Sequence, residues 1–248
     1  RQNENVICID NLSTGDFKNI NHHFKKQNFE FIKQDICELN NYEGHIDRIW
    51  HLACPASPLN YQKDPIETLK ICFQGTYKIL KLAKKNNCKL LFTSSSEIYS
   101  NSLNFPQSEM RFITTDAFST RSCYSEGKRI AETLCFNFQK TYSLDIKIAR
   151  IFNAYGPRLK KDDGRVISNF INQALNNEDL TIYGNGLQTR SFCYIDDIVS
   201  GLISFMNSEE NGPINFGYPD DISIKELALL IKEKVNSFGG LINKEPLS

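Results

Sequence analysis

Tyr124 and Lys128 stand four residues apart in Tyr-Ser-Glu-Gly-Lys, at the start of a segment with Ile130, Leu134 and Phe138 at helical spacing. Four residues is about one helical turn, so the two side chains leave one face. A free tyrosine titrates near pH ~10 and is a poor base at neutrality, but a neighbouring ammonium favours the phenolate. The pair is therefore a device for taking a proton from an alcohol. By itself it is also an accident that any amphipathic helix can carry. A second cluster, residues 93–99 with Ser95 and Glu97, follows directly on the apolar run 89–92. That pattern predicts a buried parallel strand delivering hydroxyls and a carboxylate at its carboxyl end, where ligands sit in open α/β sheets.

The elements that must hold these groups are legible along the chain. A β-branched run, 5–10, ends in Asp10, followed by the turn formers Asn11, Thr14 and Gly15. An acid at the end of the second strand of a dinucleotide-binding sheet accepts hydrogen bonds from the adenosine ribose and repels a 2′-phosphate, so Asp10 favours NAD over NADP. The glycine loop that should precede it by ~20 residues is not in the sequence, and Gly15 is the first glycine. We therefore expect the first strand, the glycine loop and the first helix of such a sheet to lie ahead of Arg1. Residues 29–33 predict the next strand, ending in Asp35 and Ile36 at a position suited to adenine; 47–53 predict another, with His51 as a packed side chain. Asp64-Pro65 opens a helix with Ile66, Leu69, Phe73, Leu80 and Ala83 on its apolar face. An irregular stretch, 100–120, precedes the Tyr/Lys helix, and 145–152 predict a further strand.

Strand and helix thus alternate as in a parallel doubly wound sheet. Beyond it the regularity breaks into short strands at 180–186, 189–195 and 214–217, with helices at 196–206 and 223–235, the last with Leu227, Leu230 and Ile231 inward. The expectation is an α/β chain: a partial Rossmann-like NAD-binding domain over residues 1–152 and a smaller substrate-binding lobe over 153–248, partly interleaved with the sheet. Arg158, Arg165 and Arg190 in that lobe could meet a diphosphate or carboxylate, and each also fits a surface ion pair.

Composition narrows the classes. Lys+Arg and Asp+Glu each number 29, so the chain is formally neutral and offers no electrostatic case for nucleic acid or an anionic membrane. No apolar stretch approaches the ~18 residues of a membrane span. The eight cysteines lack any Cys-x-x-Cys spacing, which predicts reduced thiols, no metal site and a reducing compartment such as the cytoplasm. An anchor ahead of Arg1 stays an open alternative.

Taken jointly, 51–58, 93–99, 121–129, 149–153, 164–170 and 188–192 resemble the extended short-chain dehydrogenase/reductases, and within them the UDP-glucuronic acid decarboxylase family. The likeness runs from Val6 to the last helix. It implies a tightly held NAD, a UDP-sugar substrate and a homodimer. By resemblance Tyr124 takes the proton of the sugar 4-hydroxyl, with Lys128 lowering its pKa and holding the nicotinamide ribose. Ser95 bonds the same hydroxyl, and Glu97 and Arg190 serve decarboxylation and reprotonation. Asp10, Asn11, Asp35 and Leu52 lie on the NAD side, Tyr61 and Lys70 near the glucuronate, and Asn153, Arg165 and Tyr183 around UDP.

The chain departs from that family at Ser95, where Thr is usual, at Cys72 for Asn, at Ser100 for Gly and at Ser125 for Asp; no proposed catalytic group is lost. Because the glycine loop is not in the sequence, the expectation is that this chain as written is inactive and poorly soluble. A 4-epimerase or 4,6-dehydratase of the same superfamily, or a homologue that binds dinucleotide without catalysis, are the rival readings.

Overall fold

The computed structural model describes residues 4–99, 106–110, 116–235 and 242–245. Ser100 and much of the stretch expected to be irregular, 100–105 and 111–115, lie outside the described residues. The chain has an α/β, Rossmann-like fold and divides into two compact units: residues 1–56, 60–150 and 202–215 form the first, and 57–59, 151–201 and 216–248 the second.

In the first unit, β1 (Val6–Asp10) pairs in parallel with β2 (Phe29–Lys33). β3 (Arg48–His51) follows, then the helical turn α1 (Pro58–Tyr61). α2 (Pro65–Lys70) opens on the Asp64 carboxylate, which accepts from the Glu67 amide at 2.9 Å, with proline at the first helical position. A π turn, Ile71–Gly75, connects it without a break to α3 (Thr76–Asn86). β4 (Lys89–Ser95), α4 (Ser122–Tyr142) and β5 (Ile146–Ile151) complete the succession. β3 and β4 run parallel, with His51 opposite Phe92. They belong to a four-stranded sheet whose far edge is a later strand, in the order Ile214–Phe216, β5, β4, β3. Among the described residues no ladder joins β1 to β3, and Trp50 on β3 is 37% exposed. The core lies between this sheet and the helices: Leu80, Ala83, Leu90, Ala131, Cys135 and Ile146 are fully buried.

The second unit holds β6 (Asn153–Tyr155), α5 (Val166–Leu175), β7 (Leu180–Tyr183), β8 (Thr189–Arg190) and β9 (Phe192–Tyr194). α6 (Ile195–Met206) leads back into the first unit and to β10 (Ile214–Phe216). The second unit resumes with β11 (Ile222–Ser223), α7 (Ile224–Lys234) and β12 (Ile242–Glu245). Its ladders are short: β6 with β9, β12 with β7, and β8 antiparallel to β11. α7 starts on a capping box in which the Ser223 hydroxyl accepts from the Glu226 amide and Glu226 reaches back to the Ser223 amide. Phe170, Leu180, Ile182 and Ala228 centre its core.

Helix faces differ from the sequence expectation. Ile66, Leu69 and Phe73 are 79%, 41% and 47% exposed, while Thr68, Ile71, Cys72 and Gly75 turn inward. Ile130 on α4 and Leu230 on α7 are also outward, at 44% and 43%. Leu80, Ala83, Leu227 and Ile231 are buried as expected, so the phase differs on α2 and the π turn, where the inward face carries small and polar residues because the helices pack closely. Gly127 sets that closeness, since a Cβ there would lie 2.9 Å from Cys72 Sγ and 3.0 Å from its Cβ. Gly127→Ala is expected to lower unfolding free energy by about 1–2 kcal/mol, overpacking exceeding the helix-propensity gain. Denaturant titration checks this; an unchanged midpoint would show that α4 shifts freely.

Candidate active site

α4 presents Tyr124 and Lys128 inward at its first turns, and β4 ends at Ser95, with both residues of the pair buried. The Ser95 hydroxyl lies beside the phenol, where its hydrogen bonding favours the ionised form. Lys128 Nζ donates to the Thr93 carbonyl at 2.9 Å and lies 5.7 Å from the Tyr124 ring centroid. The ammonium is therefore anchored on the strand end and acts on the phenol through space. Burial raises the Tyr124 pKa above its ordinary value; the Lys128 charge and the Ser95 hydrogen bond oppose this and do not overcome it. That corrects the expected downward shift. Desolvation of a phenolate in a closed site outweighs one ammonium held at this distance. For Lys128 burial works the other way, yet Cys54 and Tyr124 beside it hold the ammonium above its ordinary pKa.

Tyr61, from α1, stacks on Tyr124 with ring centroids 4.8 Å apart and planes 9° apart. It is 1% exposed, its hydroxyl has no hydrogen-bond partner, and burial and then Glu97 raise its pKa. The Ser94 hydroxyl, beside Ser95, is likewise buried and unpartnered. The Tyr61 hydroxyl, on the ring stacked against Tyr124, is thus an orphaned buried polar atom that a polar ligand would satisfy. Glu97 follows β4 in a 3-10 turn and meets Arg121 Nη1 at 3.4 Å, a pairing that no sequence spacing announced.

Other expected residues lie at the carboxyl ends of β1 to β3. Asp10 Oδ1 accepts from the Leu12 amide at 2.6 Å and is exposed. Asn11 donates to Asp35 Oδ2 at 2.7 Å, and Asp35 Oδ1 accepts from the Cys37 amide at 2.7 Å. Burial would raise the Asp35 carboxyl, but these hydrogen bonds and the Lys70 charge bring it below its usual range. Leu52 is 55% exposed just past β3. Ile36, next to Asp35, has its side chain 7% exposed in the core, where it would meet any Cβ placed on Gly75. Lys70 is exposed and paired with Glu67 at 3.2 Å.

Asn153, Arg165, Tyr183 and Arg190 belong to the second unit. The Asn153 amide donates to the Ser191 carbonyl at 2.9 Å, Arg165 pairs with Asp163, and Tyr183 is 48% exposed on β7. Arg190, exposed on β8, donates to the Thr189 carbonyl at 2.7 Å.

His51 is 4% exposed and its Nε2 meets Thr76 Oγ1 at 2.9 Å, a packed side chain as expected. Burial and the nearby Lys128 charge push its pKa down to about 3. The folded protein thus keeps His51 neutral where the unfolded chain protonates, and its contribution to stability is present above pH ~6.5 and lost as pH falls towards about 3. We expect the unfolding free energy of the wild type to fall more steeply across that window than that of His51→Gln; equal slopes would assign the acid sensitivity elsewhere.

The described residues include no group of His, Cys, Asp and Glu that could hold a metal ion, and no helix among them is long and apolar enough to cross a membrane. Comparison with known proteins adds the following. Residues 1–217 match the NAD dependent epimerase/dehydratase family. UDP-glucuronic acid decarboxylase 4 of Arabidopsis thaliana is 46% identical over 233 residues, covering 94% of this chain and 52% of that protein. The chain thus spans about half the length of that curated relative. Among solved structures, a UDP-N-acetylglucosamine 4-epimerase from Methanobrevibacter ruminantium M1 superposes with a TM-score of 0.88 at 29% identity, over 98% of this chain and 78% of that one. A UDP-glucuronic acid 4-epimerase from Bacillus cereus, in complex with UDP-glucuronic acid and NAD, gives 0.82 at 27% identity, over 98% and 77%.

Proposed function

Because the chain belongs to the NAD dependent epimerase/dehydratase family, we propose that its Tyr124 site serves the NAD-dependent decarboxylation of UDP-glucuronate to UDP-xylose and carbon dioxide. The observation that carries the chemistry is the buried phenol held between Ser95 and the anchored Lys128; the 46% identity to a UDP-glucuronic acid decarboxylase favours this substrate. Asp10 and the Asn11–Asp35 pair, at the ends of adjacent parallel strands, fit the adenosine ribose of NAD. The orphaned Ser94 hydroxyl and Lys128 fit its nicotinamide end. NAD supplies a reversible hydride acceptor.

The chain's own groups do the rest. Tyr124 removes the proton from the sugar 4-hydroxyl while Ser95 holds that oxygen. The ketone so formed at carbon 4 lies β to the carboxylate, so carbon dioxide can leave with its electron pair delocalised into the carbonyl. Glu97 and Arg190 assist that loss and the reprotonation that follows. When the ketone is reduced again, Tyr124 returns the proton, a task that its raised pKa favours. Tyr61 and Lys70 are assigned to the glucuronate, and Asn153, Arg165 and Tyr183 to UDP. A homodimer is supported by the outward apolar residues Ile66, Leu69, Phe73 and Ile130, and a reducing, cytoplasmic setting by eight free thiols.

The test is incubation of the full-length protein carrying this chain with UDP-glucuronate and catalytic NAD, following product mass and reduced-nicotinamide absorbance. Loss of carbon dioxide without net accumulation of the reduced cofactor is expected. UDP-galacturonate as product would make the protein an epimerase, and turnover of other sugar nucleotides alone would move it to the dehydratases.

A further inference from the structure

Two thiols that the proposed reaction does not use meet beside its centre. Cys54, in the loop after β3, and Cys72, in the π turn, bring their Sγ atoms within 3.5 Å. Both belong to the first unit. Cys54 is partly exposed and packs against Tyr61, Cys123 and Tyr124; Cys72 is 3% exposed. A disulfide spans ~2.05 Å, so the sulfurs need approach by only about 1.5 Å. Of the remaining six cysteines, also free, five are buried and Cys8 is partly exposed on β1.

The pair is chemically polarised. The contact with Cys72 and the Lys128 charge move the Cys54 thiol below its ordinary pKa against its burial, whereas the same contact, with burial, moves Cys72 up. A thiolate with an adjacent resolving thiol is the arrangement of an oxidant-reactive cysteine.

We propose that Cys54 and Cys72 form a redox modification site that takes a hydroperoxide, Cys54 as the attacking thiolate and Cys72 as the resolving thiol. Cys54 Sγ attacks one peroxide oxygen, the O–O bond breaks, and the departing hydroxide takes a proton to leave as water, giving a sulfenic acid. Cys72 Sγ then attacks Cys54 Sγ, and the hydroxyl leaves as a second water with the Cys72 proton. Two thiols lose two electrons and the peroxide gains them. The bond ties the loop beside Leu52 to the π turn and removes the anion facing Lys128. This site stands whether or not the nucleotide-sugar reading holds, because its test needs no turnover.

The full-length protein carrying this chain is treated with stoichiometric hydrogen peroxide, quenched and mapped by mass spectrometry without reduction. A Cys54–Cys72 linked peptide, 2 Da below the sum of the two and reversed by a thiol reductant, is expected, with Cys54 oxidised at least tenfold faster than any thiol outside the pair. In Cys72→Ser a cyclic diketone probe should trap the sulfenic acid at Cys54. In guanidinium the selectivity should vanish, showing that the fold creates it. Oxidation spread evenly over the eight cysteines, Cys72 labelled ahead of Cys54, or no linked peptide in the folded wild type would each overturn the proposal.

Discussion

Tyr124→Phe should reduce turnover of UDP-glucuronate by roughly 10²–10⁴-fold, the range typical of a lost general acid–base, while leaving unfolding free energy close to wild type. The ring and its stack on Tyr61 remain, and only the hydroxyl that meets Ser95 is removed. The pH profile carries the sign. Because burial holds the phenol above its ordinary pKa, the base form is scarce at neutrality, and the step that removes the sugar proton should quicken as pH rises, about tenfold per unit below that pKa. Lys128→Met removes the ammonium that opposes the shift, so its profile should move further to alkaline pH. A Phe variant that keeps wild-type turnover, or a Met variant with an unmoved profile, would take the proton transfer away from this pair. Initial rates across pH, with KM measured at each point, separate these outcomes from a binding defect.

Glu132→Leu is the second large effect, and it concerns stability. Arg150 on β5 is held by both oxygens of Glu132, Nε at 3.0 Å and Nη2 at 2.7 Å, and Nη1 also donates to the Tyr99 hydroxyl at 2.9 Å. The two side chains are 7% and 13% exposed, and the carboxylate holds the guanidinium pKa above its ordinary value against the cost of burial. Removing the carboxylate leaves a buried charge that cannot deprotonate, so a loss of about 3–5 kcal/mol is expected. Replacing both partners, Glu132→Leu with Arg150→Met, should recover much of it, because the desolvated charge goes too. Urea midpoints at unchanged slope check both. A single variant within ~1 kcal/mol of wild type would mean that water reaches Arg150 once Glu132 is gone.

What could be read from the sequence was what depends on near neighbours. The strand ending in Ser95, the Tyr124–Lys128 spacing, the Asp64-Pro65 start and the last helix over 223–235 are local patterns, and each found its element. Strand ends were less legible: the run expected over 189–195 is two short strands broken at Ser191, whose hydroxyl bonds the Tyr218 carbonyl. Helix phase failed where packing partners decide it, as at Ile66 and Phe73, because apolar residues on a helix do not say which of two apolar surfaces meets the core. Long-range contacts gave no signal at all. Nothing in the spacing joins Glu97 to Arg121, or Cys54 to Cys72, and the balance between burial and Lys128 at Tyr124 depends on how closed the site is.

Trp50 gives the chain an optical asymmetry. It is the single tryptophan in 248 residues and it lies on β3, so indole emission reports on the first unit alone, while backbone circular dichroism reports on both. Its partial exposure on a strand that, among the described residues, pairs on one side only makes that emission sensitive to whatever covers the edge. Coincidence of the fluorescent and dichroic transitions would show the two units melting as one cooperative body; separation would order them, with the unit that carries Tyr124 identified by its own colour.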